Sequence, residues 1–420
     1  MNRKNILVFP CGSEVALEVF RSIENSIHFN LIGGSSTDDH GKFIFENYIG
    51  DIPFITDKDF VKSIKKIVEE NNIDAIYPAT DLVLNELKKN EKELGCKIVS
   101  SSFETTSICL SKSETYKKLK GIVHVPIVYS NVNIIEKYPV FLKPDIGYGS
   151  RGVLKAENEN EVINHLNKNP NSIILEYLPG KEFTVDCFTN FSGELLFVGQ
   201  RERKRITNGI SVNTSSIPLD EKVKNIAHNI NQTIKFNGAW FFQIKENSNG
   251  ELVLLEIASR LAGSSSVYRM KGVNFALLSL FNEFNQKVNI IENNFNVELD
   301  RALENKFRIN MNFNHVYVDL DDTLIIDNKV NYKLIGYLYK YINEKKKIHL
   351  ITKHKYDLKE TLSKYKLNTL FESVIHLKSD DRKSNYIKHS DSILIDDSFA
   401  ERKEVYDNLQ IPVFGVDFYQ

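Results

Sequence analysis

Asp319, Asp321 and Asp322 close the apolar run in "VYVDLDDTLI", with Thr323 directly after them. Acids delivered in this way can hold a metal ion and handle a phosphoryl group. Asp319 and Asp321 are two apart, so on a continuing strand they share a face, and at a strand end they reach one ligand. An acidic helix cap would look similar, but further pieces follow in order. Thr352 closes "HLIT", Lys383 lies in "DDRKSNYI", and Asp396 and Asp397 close "ILIDD". Far upstream, "VFLKPDIGYGSRG" offers a second, different phosphate-handling stretch. Lys143 ends a strand there and supplies a point charge. Gly147, Gly149 and Gly152, with Ser150 and Arg151 among them, let backbone amides approach phosphate oxygens closely. Gln243 and Glu256 fall on two strands of one apparent hairpin, where they can share a cation.

These residues need elements to position them. "NILVFP", "FNLIGGSS" and "DAIYPAT" read as buried strands, separated by the helical patterns "SEVALEVFRSI" and "FVKSIKKIVEENN". That alternation predicts a doubly wound parallel sheet over residues 1–110, with Pro10 to Glu14, Gly33 to Ser36 and Pro78 to Asp81 on its ligand-facing rim. No GxGxxG follows the first strand, so no dinucleotide site is expected. From Pro139 to Glu256 the strands "YPVFLKP", "SIILEYL", "KEFTVDCF", "ELLFVGQ", "AWFFQIK" and "ELVLLEIA" are punctuated by hairpin turns at Gly193-Glu194 and Asn249-Gly250. This predicts an α+β domain over 111–311. From residue 312, "HVYVDLDDTLI", "KIHLIT", "SVIHLK" and "SILIDDS" read as strands around the helices "YKLIGYLYKYINEK" and "LKETLSKYKL". A second parallel α/β unit is expected over 312–420. Nothing between Phe284 and Asn314 is rich in Pro, Gly or Ser, so this unit is expected to dock on the one before it.

Composition excludes some functions. The formal net charge is −1, which argues against bulk electrostatic binding of nucleic acid. Cys11, Cys96, Cys109 and Cys187 are scattered, with no CxxC, and read as reduced thiols of a cytoplasmic protein. The apolar run of the N-terminus is too short for a signal-peptide core or a membrane span.

Taken together, Lys112 in "LSKSETYKKL", the Lys143 loop, "LEYLPGKEFTVD" and "FFQIKENSNGELVLLEIASRLAGSS" resemble the ATP-grasp superfamily, in the branch of carboxylate–amine ligases related to the large subunit of carbamoyl phosphate synthetase. The resemblance covers about residues 1 to 310, its first part being similar to that family's pre-ATP-grasp domain. It implies a Rossmann-like first domain and an ATP-grasp fold that clamps ATP between two lobes. It also implies roles. Lys112 and Lys143 would contact ATP phosphates, with the loop of Gly147, Gly149, Ser150 and Arg151 folded over them. Glu176, Tyr177 and Leu178 would contact adenine and Glu182 the ribose. Gln243 and Glu256 would hold Mg²⁺, and Arg260 would steady the transferred phosphoryl group. Arg201 and Arg203, in "VGQRERKRITNGIS", would meet an acyl phosphate or a substrate carboxylate. One departure stands out: the family usually has Glu-Ile-Asn-x-Arg where this chain has "EIASR", so Ala258 replaces an Asn that commonly ligates a second magnesium. Water or Ser259 fills that gap, or the site holds one metal well and the other poorly.

The C-terminal set resembles the haloacid dehalogenase superfamily of phosphatases, from Asn314 to about Gln420. That resemblance implies a Rossmannoid domain with Asp319 as nucleophile and Asp321 as acid and base. Thr352 and Lys383 would bind the phosphoryl oxygens. Asp319, Asp396 and the Asp321 backbone would hold Mg²⁺, with Asp397 as an alternative ligand. About thirty residues separate Asp322 from Thr352, and a similar number Thr352 from Lys383; each gap has room only for a helix and a connection, and none for a cap domain.

The leading expectation is a bifunctional enzyme using ATP and Mg²⁺. A ligase would join a small-molecule carboxylate to an amine, allowed to be phosphorylated, and a phosphatase would remove the phosphate from amine or product. Arg201, Arg203 and Arg205 are candidates to grip that phosphate. No nucleic-acid or membrane partner is expected, and homodimerisation is left open. Two alternatives stand beside it: a small-molecule kinase with an opposing phosphatase, and a sensor in which ATP binding gates the phosphatase.

Overall fold

The computed structural model describes residues 3–147, 149, 151–207, 209–304 and 311–418. The chain divides into two compact units, Met1–Phe307 and Arg308–Gln420.

In the first unit, β1 (Lys4–Phe9), β2 (Phe29–Gly34), β3 (Asn47–Ile49), β4 (Ala75–Pro78) and β5 (Lys97–Ile98) make a parallel sheet in the order β3-β2-β1-β4-β5. Ile6 to Phe9 are buried without alternation, as a strand covered on both faces requires. Ser13 caps the helix Glu14–Ile23 by accepting from the Ala16 amide at 3.2 Å, which ends β1 in a turn on the rim.

Two antiparallel sheets follow. β6 (Val128–Tyr129), β7 (Val140–Pro144), β8 (Leu154–Ala156) and β9 (Ser172–Glu176) are ordered β6-β9-β7-β8. The larger sheet contains β10 (Glu182–Thr189), β11 (Leu195–Thr207), β12 (Ile210–Ser216), β13 (Gly238–Glu246), β14 (Leu252–Ala258) and β15 (Glu298–Asp300). Its order is β14-β13-β10-β11-β12-β15. The segment "VGQRERKRITNGIS" is a hairpin: β11 stops at Thr207, and Ile210 pairs back with it as the first residue of β12. Gly193 and Gly250, at φ +84° and +76°, occupy the left-handed region that the two expected hairpin turns need. The parallel sheet and the larger antiparallel sheet share one core, in which Ile6, Val8 and Val19 pack with Phe188, Phe197, Tyr268 and Phe275. Behind the larger sheet, Trp240 stacks on Phe236 with ring centroids 3.9 Å apart and donates from Nε1 to the Thr189 hydroxyl at 2.9 Å.

In the second unit, β16 (His315–Val318), β17 (Ile325–Ile326), β18 (Lys329–Val330), β19 (Lys347–Thr352), β20 (Ser373–His376), β21 (Ser392–Ile395) and β22 (Val413–Phe414) appear. Five of them form a parallel sheet ordered β20-β19-β16-β21-β22, and β17 and β18 form a small hairpin. The strand expected to run through "HVYVDLDDTLI" ends at Val318. The chain then turns, with the Leu320 carbonyl accepting from the amides of Leu324 and Ile325 and Asp322 at φ +54°. Only the β17–β18 hairpin and the helix Tyr332–Asn343 separate that turn from β19. Among the described residues no helix is long and apolar enough to cross a membrane.

Trp240 is the only tryptophan, so its emission reports the first unit's core. Phe236→Ala removes its stacking partner and is expected to cost about 3–5 kcal/mol. The check is the urea midpoint of Trp240 fluorescence; an unchanged midpoint would contradict this reading of the core.

Candidate active sites

The first site is a cleft in the first unit, built on the β13–β14 hairpin. Trp240, Phe242 and Ile244 point into the core, so alternation turns Gln243 and Lys245 to the opposite side, where both line the cleft. Gln243 lies directly opposite Glu256, but Ile244 lies opposite Leu254. Leu255 is therefore an extra residue, a β-bulge, of the kind that re-aims a strand beside a functional site. Its carbonyl accepts from Lys143 Nζ at 2.9 Å and from the Tyr116 hydroxyl at 2.6 Å. The bulge thus fixes the lysine one residue before the end of β7. Burial pushes the Lys143 ammonium down to about 8, against the pull of Glu256 and with the help of Lys112.

Lys112 opens the helix Lys112–Leu119 and donates to the carbonyls of Asp145 and Gly147 at 3.2 and 3.4 Å. Asp145 ties that helix to the glycine loop by accepting from the Ser111 hydroxyl and the Ser113 amide, each at 2.7 Å, and from the Ser113 hydroxyl. Burial works against the Asp145 carboxylate, but these hydrogen bonds outweigh it and hold its pKa below the usual value. Gly147, Gly149 and Arg151 line the cleft; Ser150 lies outside the described residues. Gly149 and Gly152, at φ +63° and +67°, take the backbone shape a cradle of amides needs.

Glu176, Tyr177, Leu178 and Glu182 line the opposite wall. Glu176 Oε1 accepts from the Ile127 amide at 3.0 Å, which anchors that wall. Arg203 is the hub of the polar side. It is paired with Glu182, donates to Gln243 Oε1 at 2.8 Å and to the Gly209 carbonyl at 2.9 Å, and its buried Nε has no partner among the described residues. Gln243 and Glu256 offer oxygen donors side by side, which suits a hard cation.

Three expected residues stand apart from this cleft. Arg201 is 1% exposed, paired with Asp186 at 2.6 Å and donating to the Ser264 hydroxyl at 2.8 Å. It braces the sheet and does not line the cleft, because a buried guanidinium needs its own carboxylate. Arg260 makes a bidentate pair with Asp81, at 2.9 and 2.7 Å, and lies over the Phe241 ring. Arg205 is held by Asp300 on the surface. Ala258 packs with Phe241 and Ala262 in a small apolar cluster. Ser259, one residue on, is buried and does not line the cleft, so it supplies no replacement oxygen there.

The second site lies at the carboxyl ends of the strands in the second unit. Asp319 follows β16, Thr352 ends β19, and Asp396 and Asp397 follow β21. Lys383, 2% exposed, donates to Asp319 Oδ1 at 2.7 Å and Asp396 Oδ2 at 2.6 Å. Burial alone would lower the Lys383 ammonium, but the two carboxylates raise it. Burial pushes the Asp319 carboxyl up to about 6 despite Lys383, with Asp396 adding to the rise. One oxygen each from Asp319, Asp396 and Asp397 lies within 4.8 Å of the others, a donor set that fits a divalent cation. The buried Thr352 hydroxyl has no partner among the described residues, as fits a group awaiting an anion. Sequence reading missed His354. Its Nδ1 is 2.9 Å from both oxygens of Asp321, and its Nε2 is 2.9 Å from the Thr361 hydroxyl. The only signal was its place two residues beyond Thr352.

Removing Lys383 strands two buried carboxylates. Lys383→Met is expected to destabilise the second unit by about 3–5 kcal/mol. A divalent cation would restore much of that loss by taking over the charge. Thermal melts with and without the cation check this; equal loss in both would argue against a metal at the carboxylates.

Comparison with known proteins agrees with the geometry of the first unit. Residues 168–314 match the family described as ATP-grasp in the biosynthetic pathway with Ter operon. The D-alanine–D-alanine ligase of Thermotoga sp. (strain RQ2) is 30% identical over 121 residues, which span 27% of this chain and 40% of the ligase. The biotin carboxylase domain of Hydrogenobacter thermophilus 2-oxoglutarate carboxylase, solved as a dimer with MgADP, ADP and bicarbonate, superposes with a TM-score of 0.61 at 15% identity. That match covers 70% of this chain and 73% of the domain. An L-amino acid ligase from Bacillus licheniformis superposes with a TM-score of 0.55 at 17% identity, over 67% of this chain and 74% of the ligase. The parallel sheet and the two antiparallel sheets of the first unit share the fold of these structures, and residues 168–314, which include the β13–β14 hairpin of the cleft, match an ATP-grasp family.

Proposed function

We propose that the first unit is an ATP-dependent carboxylate–amine ligase. We further propose that the second unit is a magnesium-dependent phosphatase of the haloacid dehalogenase type, acting on the phosphorylated amine or on the ligated product. The observation that carries the first half is the convergence of Lys112, Lys143 and Arg203 with Gln243 and Glu256 on one cleft. Similar proteins that are ligases, for D-alanine and for L-amino acids, support the same reading.

In this account Lys112 and Lys143 neutralise ATP phosphates, and the amides of Gly147, Gly149 and Gly152 close over them. Glu176 to Leu178 border the adenine, and Glu182 takes the ribose. Magnesium, held by Gln243 and Glu256, supplies charge neutralisation on the phosphates when bound. A carboxylate oxygen of the substrate attacks the γ-phosphorus, releasing ADP and giving an acyl phosphate. The amine then attacks the carbonyl carbon and expels phosphate, forming an amide. Arg203 is the cationic side chain facing that anhydride. Closure of the cleft keeps water from it. Arg260 can steady the phosphoryl group only after leaving Asp81.

In the second unit, Asp319 attacks the phosphorus of the phosphoester to form an aspartyl phosphate while Asp321 protonates the leaving alcohol; Asp321 then takes a proton from water, which attacks that phosphorus and releases inorganic phosphate from Asp319. Thr352 and Lys383 bind the phosphoryl oxygens. Magnesium at Asp319, Asp396 and the Asp321 backbone, with Asp397 as an alternative ligand, offsets the negative charge when bound. His354 keeps Asp321 oriented. The buried Lys383 bridge between Asp319 and Asp396 supports this half. With only a hairpin and a helix between the turn and β19, the site has no cap from that segment and suits a bulky phosphoester.

Ala258 and the Arg260–Asp81 pair favour one further reading, a nucleotide sensor without turnover. ADP release separates the two. The ligase reading expects Lys143→Ala and Glu256→Gln to lose roughly 3–4 kcal/mol of transition-state stabilisation in an ADP-release screen of amines and carboxylates. Asp319→Asn should keep that ADP release and accumulate a phosphorylated amide, seen by mass as one phosphoryl group above the wild-type product. Normal ADP release in Lys143→Ala would sink the ligase site; a wild-type product from Asp319→Asn would uncouple the phosphatase from it.

Lys143 also sets a pH dependence. Its ammonium is present below about 8 in the empty cleft. Bound phosphates favour the charged form, so nucleotide binding should take up protons near and above that pH and weaken as pH rises through it. Calorimetry in buffers of different ionisation enthalpy measures the uptake, which Lys143→Arg should abolish.

A further inference from the structure

At the end of the C-terminal sheet opposite to the carboxylates, three histidines meet. His315 is the first residue of β16, His349 lies in β19, and His389 sits on the loop that leads into β21. His315 Nδ1 and His349 Nε2 are 2.9 Å apart, and the His315 and His389 rings stack at 3.5 Å between centroids. One nitrogen from each of the three lies within 4.8 Å of the others. Asp319 lies four positions beyond His315, about 13 Å at ~3.3 Å per residue. The cluster is therefore independent of the phosphatase site, and nothing in the proposed reactions uses it.

We propose that His315, His349 and His389 form a binding site for a zinc-class transition-metal ion. The chemistry of the donors selects the class, since imidazole nitrogen suits Zn²⁺, Cu²⁺ and Ni²⁺, whereas Mg²⁺ takes oxygen. The surroundings are those of a ligand set. His349 is buried, stacked on Tyr317 at 4.7 Å, and its Nδ1 is 2.7 Å from the Ser373 hydroxyl. With Ser373 accepting from Nδ1–H, Nε2 keeps its lone pair and turns it toward His315, the arrangement in which an outer hydrogen bond fixes a metal-binding tautomer. Without metal, His315 Nδ1–H donates into that lone pair; with metal, His315 shifts its proton to Nε2 and both nitrogens face the ion. At a Zn–N distance of ~2.0 Å, tetrahedral ligand nitrogens stand about 3.3 Å apart. The first pair is already closer than that, and rotation of the His389 ring completes the set. His315 and His389 are half-buried, so an ion can reach them, and three protein ligands leave a fourth position for water.

The test is zinc titration of the EDTA-stripped full chain against a chromophoric chelator. Excess Mg²⁺ and an Asp319→Asn background occupy and disable the carboxylate cluster. One equivalent of Zn²⁺ is expected. Ser373→Ala, outside the ligand set, should weaken binding by roughly 10–100-fold, and His389→Ala by more than Ser373→Ala does. His389 is chosen because it sits on a loop, whereas His349→Ala risks the core; circular dichroism confirms that each variant is folded. Co²⁺ in place of Zn²⁺ should give visible absorption that His389→Ala removes. No bound equivalent, or an affinity unchanged in His389→Ala, would overturn the site and leave the histidines as packing.

Discussion

The register of one hairpin governs the first unit. Gln243 and Glu256 face each other across β13 and β14 because Trp240, Phe242 and Ile244 fill the core behind them. A slip of one residue would turn every side chain to the other face and scatter the donors. The turn protects against that slip: Asn247 Oδ1 accepts from the amides of Asn249 and Glu251, and Gly250 takes the left-handed conformation. The bulge at Leu255 then does two things at once. It keeps Glu256 in register with Gln243, and it turns a carbonyl toward Lys143 and Tyr116. The Gln243–Glu256 pair and Lys143 are thus set by the same irregularity.

The two sites solve a common electrostatic problem in opposite ways. In the cleft, Lys143 is buried with a carbonyl for its nearest partner, so its charge is under-compensated and available to an anion. In the second unit, Lys383 sits between two carboxylates, and it is the acids that carry the excess charge. The first arrangement favours a polyphosphate arriving with its own counter-ion. The second favours a cation arriving first, followed by an anionic group that the buried Thr352 hydroxyl, without a partner among the described residues, can meet. The charge balances of the two sites thus suit different partners.

Much of this was legible in the sequence. Alternation and the Asn249-Gly250 turn were enough to put Gln243 beside Glu256, and strand ends were enough to gather Asp319, Thr352 and Asp396, whereas Lys383 comes in from a short 3-10 helix beyond β20. What failed to show was set by distant partners. Arg201 reads like its neighbour Arg203, yet Asp186 and Ser264 bury one while Glu182 and Gln243 hold the other in the cleft. Arg260 is drawn away by Asp81, nearly two hundred positions earlier in the chain. The Leu255 bulge has no residue signature at all, because an extra residue in a strand shows only once the opposing strand is known. Motif logic found most of the groups that the structure gathers at the two sites and overlooked His354 and the His315 cluster, whose meaning depends on what faces them.

The central claim is that the cleft holds a nucleotide triphosphate with its charge met by Lys112, Lys143 and a cation between Gln243 and Glu256. The most direct measurement is a crystal structure of the full chain with Mg²⁺ and a non-hydrolysable ATP analogue. The account predicts phosphate oxygens within hydrogen-bond distance of both lysine ammoniums and a magnesium ligated by Gln243 and Glu256. An analogue bound with its phosphates away from Lys143, or with no metal at Glu256, would contradict it.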